Sequence, residues 1–395
     1  MEVETLARWG KKKGISLLGT GDFTHPTYFA ELRSKLIPLE NGLFELKKGE
    51  KGVKFILTTE VSNIYTQGGK VRRIHNLIFA PSFEVAEAIR SKLGNLGKLS
   101  SDGRPIFSFT AKELVKMILD ISTDCMIIPA HAWTPWFSIF GANSGFDSIE
   151  ECFEELSPHI HAIETGLSSD PEMNWRLSAL DAITLISNSD AHSPNRLGRE
   201  ANAFDCTLDY REIIETIRKK DSKKLLFTIE FFPEEGKYHY DGHRQCSVIF
   251  SPSQTKTNKY LCPNCHKKLT IGVMHRVEEL CDRSEGFIPK NAIPSIHLIP
   301  LEEIIAEAMG YRVGTKAVEA EYERLTERGG AEFKILLDAT PDELVSFVPA
   351  NILEGIIRVR QGKVSIIPGH DGVYGKIALF PEKKEGELKE QLKLF

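Results

Sequence analysis

Through about residue 230 the chain alternates between short apolar runs and amphipathic stretches, and most runs hand over to a His, Asp or Glu. The runs are Ile15–Gly19, Val53–Leu57, Ile74–Phe79, Met126–Pro129, Ala162–Ile163, Ala182–Ile186 and Leu225–Ile229. Between them lie stretches with helical spacing of apolar residues: Glu4–Lys13, Phe83–Leu93, Ala111–Leu119, Ser148–Leu156 and Tyr210–Lys219. Strands alternating with helices imply βα units and a mostly parallel sheet. Closed into a barrel, such units gather their functional side chains at the C-terminal strand ends.

The residues at those ends have one chemistry. Asp22 and His25 follow the first run, and Glu60, His75, His131 and Glu164 mark the next four; Asp190 and His192 follow the sixth. A lone His or Glu at a strand end is ordinarily a cap or an ion-pair partner. Separate segments converging at one mouth point instead to metal ligation. Imidazole and carboxylate donors suit Zn2+, Mn2+, Fe2+ or Mg2+ rather than an ion selected by thiolate. Glu60, His75, His131, Glu164, Asp190 and His192 are therefore the expected metal ligands. Two or three ions about 4 Å apart would make a hydroxide nucleophile and clamp a phosphoryl oxygen. If the backbone at Asp190-Ala-His192 is extended, those two side chains point the same way. Catalytic roles are expected at Asp22, His25, Glu60, His131, Asp190 and His192. Arg72, Arg73 and Arg196 are candidates to steady a phosphate, and Asn143 and Ser168 to bond a base edge or phosphate. Trp133 and Trp136 closely follow His131, and aromatics beside a catalytic metal can stack on an extruded base.

Longer phrases carry a family resemblance. GTGDFTHP at 19–26, HNLIFAPS at 75–82, IPAHAWTPWFS at 128–138, SNSDAHSPNRLGREAN at 187–202 and IEFFPEEGKYHYDGHR at 229–244 resemble the PHP (polymerase and histidinol phosphatase) superfamily of phosphoesterases, and within it the endonuclease Q family. The resemblance implies an α/β chain with a distorted βα barrel of PHP type. It implies a DNA substrate, cut by catalytic divalent metals (Zn2+, Mn2+ or Mg2+). The cut would fall 5′ to a deaminated base (uracil, hypoxanthine, xanthine) or an abasic site, as the opening step of repair. The His-x-His pair that opens the family's first strand has no counterpart before His25, so Met1 stands where an internal methionine would. A truncated, inactive DNA- or partner-binding chain is thus one alternative, and a PHP-type small-molecule phosphatase is another. No GxxxxGK[ST] loop is present, which argues against a helicase motor.

Downstream the texture changes. Residues 232–275 are rich in His, Cys, Lys and Gly, and they contain His243-Arg-Gln-Cys246 and Cys262-Pro-Asn-Cys265. Two knuckles of this spacing read as a zinc-ribbon-like site for one structural Zn2+. His239, His266 and Cys281 stand in reserve; Cys125, Cys152 and Cys206 have no ligand spacing and read as core. From Asn291 the pattern is helical, and 335–362 resembles a helix–hairpin–helix unit that grips a DNA backbone, with Arg358, Arg360 and Lys363 near phosphates. The expected division is 1–231 for the phosphoesterase barrel, 232–285 for the zinc module and 286–395 for the helical module. The tail QLKLF at 391–395 loosely resembles a peptide that binds a sliding clamp.

Composition narrows the partners. A net charge of −5 excludes a uniformly basic nucleic-acid coat, though not a local basic channel. Seven cysteines, an odd number, argue against a disulfide framework. No apolar run approaches the ~20 residues needed to cross a bilayer. Residues 1–15 are polar and unlike a signal peptide, so a cytoplasmic address is expected.

Overall fold

The computed structural model describes residues 1–101 and 103–380; the QLKLF tail lies outside the described residues. The architecture is mixed α/β. A seven-stranded sheet is built from β1 (Leu17–Gly19), β2 (Leu36–Pro38), β3 (Phe44–Leu46), β4 (Lys54–Gln67), β5 (Lys70–Ala80), β6 (Ile106–Phe107) and β7 (Met126–Pro129). β8 (Ala162–Glu164) pairs in parallel with β9 (Thr184–Ile186). The Ala132 N–H donates to the Glu164 carbonyl at 2.9 Å, which ties β8 to the segment leaving β7. β10 (Ala201–Phe204) and β11 (Leu225–Glu230) form an antiparallel pair. β12 (Asp241–His243) and β13 (Val248–Phe250) make a small hairpin. β14 (Ser295–His297) returns to lie parallel to β11. A last hairpin joins β15 (Ser365–Ile367) and β16 (Lys376–Ala378). Among the described residues these strands form separate sheets, with no closed barrel.

The large sheet departs from the mostly parallel expectation, and the cause is local. β4 runs on past Leu57 and pairs with β5 in an antiparallel ladder from Leu57↔Ala80 to Gln67↔Lys70. Only Gly68 and Gly69 link the two strands, with φ of 60° and 74°. A two-residue turn with both central φ positive matches the right-handed twist of a hairpin, and glycine adopts it without strain. Glu60 and His75 therefore lie inside a long ladder rather than at strand ends.

Strand alternation separates two cores. Ile56 of β4, Met126 and Ile128 of β7, Ala162 of β8 and Ile186 of β9 pack with Tyr210, Ile213, Ile214 and Ile217 of the helix Tyr210–Arg218. Their neighbours Phe55, Leu57, Ile127, Ile163 and Leu185 face the other core, against helices such as Val3–Lys13 and Ala111–Ile121. Period-two burial on both faces is what a sheet covered on both sides requires. A third cluster joins β11 to the helices Leu301–Met309, Lys316–Gly329 and Ala350–Arg360. The helix Val273–Leu280 instead sends Val273 and Val277 into the first core. Among the described residues no helix is long and apolar enough to cross a membrane.

Candidate metal centre

The β4–β5 register builds the site. His75 pairs with Ser62, so His75 and Glu60, two residues from Ser62, share one face of the ladder. Glu60 Oε1 lies 2.9 Å from His75 Nδ1. His131 comes from the end of β7, where Ala130 N–H donates to the His75 carbonyl at 3.0 Å. Its Nε2 stands 3.0 Å from His75 Nδ1 and 3.9 Å from Glu60 Oε1. Ligand atoms of Glu60, His75 and His131 all fall within 4.8 Å of one another.

Three observations set this cluster apart from an ordinary ion pair. Two imidazole nitrogens converge on one carboxylate oxygen. Glu60 Oε1 is buried with His75 Nδ1 and Arg104 Nε close to it, neither aligned as a hydrogen bond. His131 itself has a φ of 33°, a left-handed backbone that costs on the order of 1–3 kcal/mol outside glycine. Gly166 backs this turn: a Cβ there would come within 2.6 Å of the His131 Cβ. The carboxylate–imidazole set fits a divalent ion of the Zn2+, Mn2+ or Mg2+ kind.

Electrostatics keep Glu60 charged. Burial works to raise its carboxyl, but the His75 contact and the charges of His131 and Arg104 prevail and hold it at about 2. Burial, with the charges of His131 and Arg104, lowers the His75 imidazole. Burial opposes the His131 cation too, yet the Glu164 contact and the Glu60 charge leave it raised.

Flanking carboxylates extend the cluster. Glu164 is 3 % exposed; its Oε2 accepts the His131 N–H at 2.8 Å and its Oε1 accepts from Asn188 at 2.9 Å. Asp190 is joined to Glu60 through Arg104, whose Nε is 2.5 Å from Glu60 Oε1 and whose terminal nitrogen donates to Asp190 Oδ1 at 2.9 Å. Arg104 was not among the expected residues. It sits in the loop before β6, distant in sequence from Glu60 and Asp190, and no motif marks it.

Other expected residues fall elsewhere. His192 is 75 % exposed and turns away, its Nδ1 2.8 Å from the Asp190 carbonyl. The reason is the φ of 42° at Asp190, which breaks the extended geometry that would align the two side chains. Asp22 accepts from Thr24 at 2.6 Å and from Thr59 at 3.3 Å. His25 caps the helix Pro26–Lys35, its Nδ1 accepting from Tyr28 N–H at 3.4 Å. Trp133 is buried in the first core, donating to Asn174 at 2.8 Å, whereas Trp136 stays 40 % exposed. Arg72 is committed to the Gly145 carbonyl and stacks over Phe146 at 4.0 Å. Arg196 pairs with Glu303 at 2.7 Å. Asn143 is exposed, and Ser168 Oγ is buried without a partner among the described residues. In the C-terminal helices Arg360 donates to the carbonyls of Ile335 and Leu336, a structural use.

An aromatic cavity adjoins the cluster. Arg73, Thr134, Pro135, Trp136, Phe137 and Tyr238 line a space of about 500 Å³. Trp136 meets Tyr238 edge to face at 5.8 Å, and Phe137 stands 4.8 Å from the His75 ring. Tyr238 had no sequence signal of its own.

The second donor set is soft. His243, Cys246, Cys262 and Cys265 bring one ligand atom each within 4.8 Å of the rest. Burial alone would raise the Cys262 thiol, but N–H groups of Cys265 and Asn264 and the neighbouring thiols lower it. Among the described residues, only Val248, Cys262 and Leu269 form the buried core here. So small a core needs a staple, and one imidazole with three thiolates is a donor set of tetrahedral structural zinc.

Hard donors gathered on a mixed sheet, with a soft quartet further on, make this an α/β protein with donor groups suited to metal ions. The chain belongs to the endonuclease Q family. It is similar to the lesion-specific endonuclease PfuEndoQ from Pyrococcus furiosus, at 31 % identity with a TM-score of 0.84 over 98 % of this chain and 94 % of that one. It is equally similar to endonuclease Q solved with a 27-mer duplex carrying an abasic lesion, at 33 % identity and a TM-score of 0.82, again over 98 % and 94 %. Residues 300–363 match the MJ0043 C-terminal domain. The uncharacterized protein MJ0043 of Methanocaldococcus jannaschii is 36 % identical over 66 % of this chain, which spans a third of that relative's length. The uncharacterized protein YqxK of Bacillus subtilis is 29 % identical over 94 % of this chain and 91 % of that one.

Proposed function

We propose that this chain is a metal-dependent DNA endonuclease that hydrolyses the phosphodiester 5′ to a deaminated base (uracil, hypoxanthine or xanthine) or an abasic site, and so begins repair. The observation that carries the reading is the Glu60–His75–His131 cluster standing one ring, Phe137, from an aromatic cavity. The solved relatives, a lesion-specific endonuclease and a complex with an abasic duplex, support lesion-bearing duplex DNA as the substrate class.

Glu60, His75 and His131 would hold the catalytic ions, with Glu164 and Asp190 flanking them. When bound, such ions supply a hydroxide nucleophile and neutralise charge on the phosphoryl oxygens. The chain's own residues do the rest. The His75, His131 and Arg104 contacts hold the Glu60 carboxyl low, which favours its anionic form as a donor. Glu164 orients His131 through its backbone N–H. The Arg104 fork can pass from Asp190 to a phosphate oxygen, since guanidinium–phosphate pairs are strong and directional. Trp136 and Tyr238 offer ring faces to an extruded base, a step that costs least for a base already mispaired or missing. We assign Zn2+ to His243, Cys246, Cys262 and Cys265 in a structural role, and read 1–231, 232–285 and 286–395 as catalytic, zinc and helical modules.

End-labelled duplexes bearing one deoxyuridine, deoxyinosine, deoxyxanthosine or abasic site, incubated with Mn2+, Mg2+ or Zn2+ beside a chromogenic phosphate ester, test the reading. Incision 5′ to the lesion with no ester hydrolysis is expected. Ester hydrolysis without incision would favour a small-molecule phosphatase.

A further inference from the structure

Away from the Glu60–His75–His131 cluster, a second set of hard donors gathers where the short helix Pro171–Asn174 meets β11 and β14. Asp170 caps that helix through Oδ1, which accepts the Met173 N–H at 2.8 Å. Its other oxygen, Oδ2, faces His297 Nε2 at 3.2 Å. Glu172 reaches the same place, with Oε1 accepting from Ser295 Oγ at 2.8 Å. One ligand atom of each of Asp170, Glu172 and His297 lies within 4.8 Å of the other two.

The strand register supplies an independent observation. Glu230 of β11 is the register partner of His297 of β14, and parallel neighbours project from the same face. Glu230 is 0 % exposed. Its Oε2 accepts from Thr165 at 2.9 Å, while Oε1 has no hydrogen-bond partner among the described residues. A buried carboxyl oxygen left unbonded is costly, and its residue is the register neighbour of His297, one of the three that converge.

We propose that Asp170, Glu172 and His297 bind a divalent cation of the Zn2+ or Mn2+ class, with Glu230 as the buried acceptor behind them. One imidazole with carboxylates suits such borderline ions. Around a tetrahedral ion the donor atoms sit about 3.3 Å apart, so the present spacing closes with side-chain adjustments alone. The ion would staple β14, and the helices that follow it, to the segment after β8. This site is independent of the nuclease reading: the chain could hold the ion without cutting DNA.

Metal per chain, counted by plasma mass spectrometry on full-length protein equilibrated with Mn2+ or Zn2+ and then dialysed, tests the proposal. Glu172 is exposed, so Glu172→Gln leaves folding intact and is the deciding variant. It is expected to lose about one equivalent of metal relative to the parent, a loss additive with that of Glu60→Gln because the two sites share no ligand. His297→Gln is expected to lose the same equivalent and to lower the melting temperature. If Glu172→Gln keeps the parent's full metal complement, the proposal is overturned and Asp170–His297 is a partly buried ion pair only.

Discussion

His75 and His131 bring two ring nitrogens to 3.0 Å with their ring planes 88° apart, both beside the same oxygen of Glu60. Two imidazoles gain little from such an approach unless a proton or a cation lies between them. His131→Asn or His75→Asn is therefore expected to lower metal affinity by at least roughly 10–100-fold, the range seen when only a group supporting a ligand is removed. Isothermal titration of the metal-stripped protein with Mn2+ checks this, and an unchanged affinity in both variants would count against the ligand assignment.

Arg104 holds Glu60 and Asp190 with different nitrogens of one planar fork. A lysine has a single point charge and cannot span both. Arg104→Lys is expected to cut lesion incision by about 100-fold, the scale of losing one preorganised electrostatic donor. Metal content should remain at the parent level. A variant that incised at the parent rate would remove Arg104 from the site.

Gly166 has φ +62°, and a side chain there would press on the His131 Cα and Cβ at 2.8 and 2.6 Å. Gly166→Ala is expected to destabilise the fold by ~1–3 kcal/mol through strain and overpacking. It should also weaken metal binding, because His131 must move. Urea unfolding alongside the Mn2+ titration separates the two effects.

Burial, reinforced by Glu303 and Glu234 and opposed by Arg196, pushes the Glu235 carboxyl up to about 8. A raised carboxyl binds its proton more tightly in the folded chain. Its contribution to stability is complete below the unfolded value near 4.5 and is lost as pH rises through about 8. The urea midpoint is expected to fall between pH 5 and pH 8.5, and Glu235→Gln to flatten that fall. A parent midpoint that rises across this window would contradict the assignment.

Legibility in the sequence tracked how local each signal was. The zinc-type quartet could be read because each knuckle fixes its own geometry within four residues, from His243 to Cys246 and from Cys262 to Cys265. Glu60, His75 and His131 were visible as donor types at the ends of apolar runs. Their meeting depends on a ladder whose turn signal, Gly68-Gly69, lies between the runs and changes the sheet from parallel to antiparallel. Asp190 and His192 look equivalent in sequence, and one left-handed residue parts them. Trp133 and Trp136 are three positions apart, yet one fills the core and the other faces the cavity, because the loop between them has no regular period. Arg104 and Tyr238 had no pattern to announce them, since their roles arise only from tertiary placement.

The most direct test of the central claim is incision of a duplex with one abasic site by metal-loaded parent protein and by Glu60→Gln. A single cut 5′ to the lesion that needs divalent metal is expected, with a loss of at least about 100-fold in the variant. Parent protein that binds the duplex and its metals but leaves the strand intact, or a variant that cuts as fast as the parent, would contradict it.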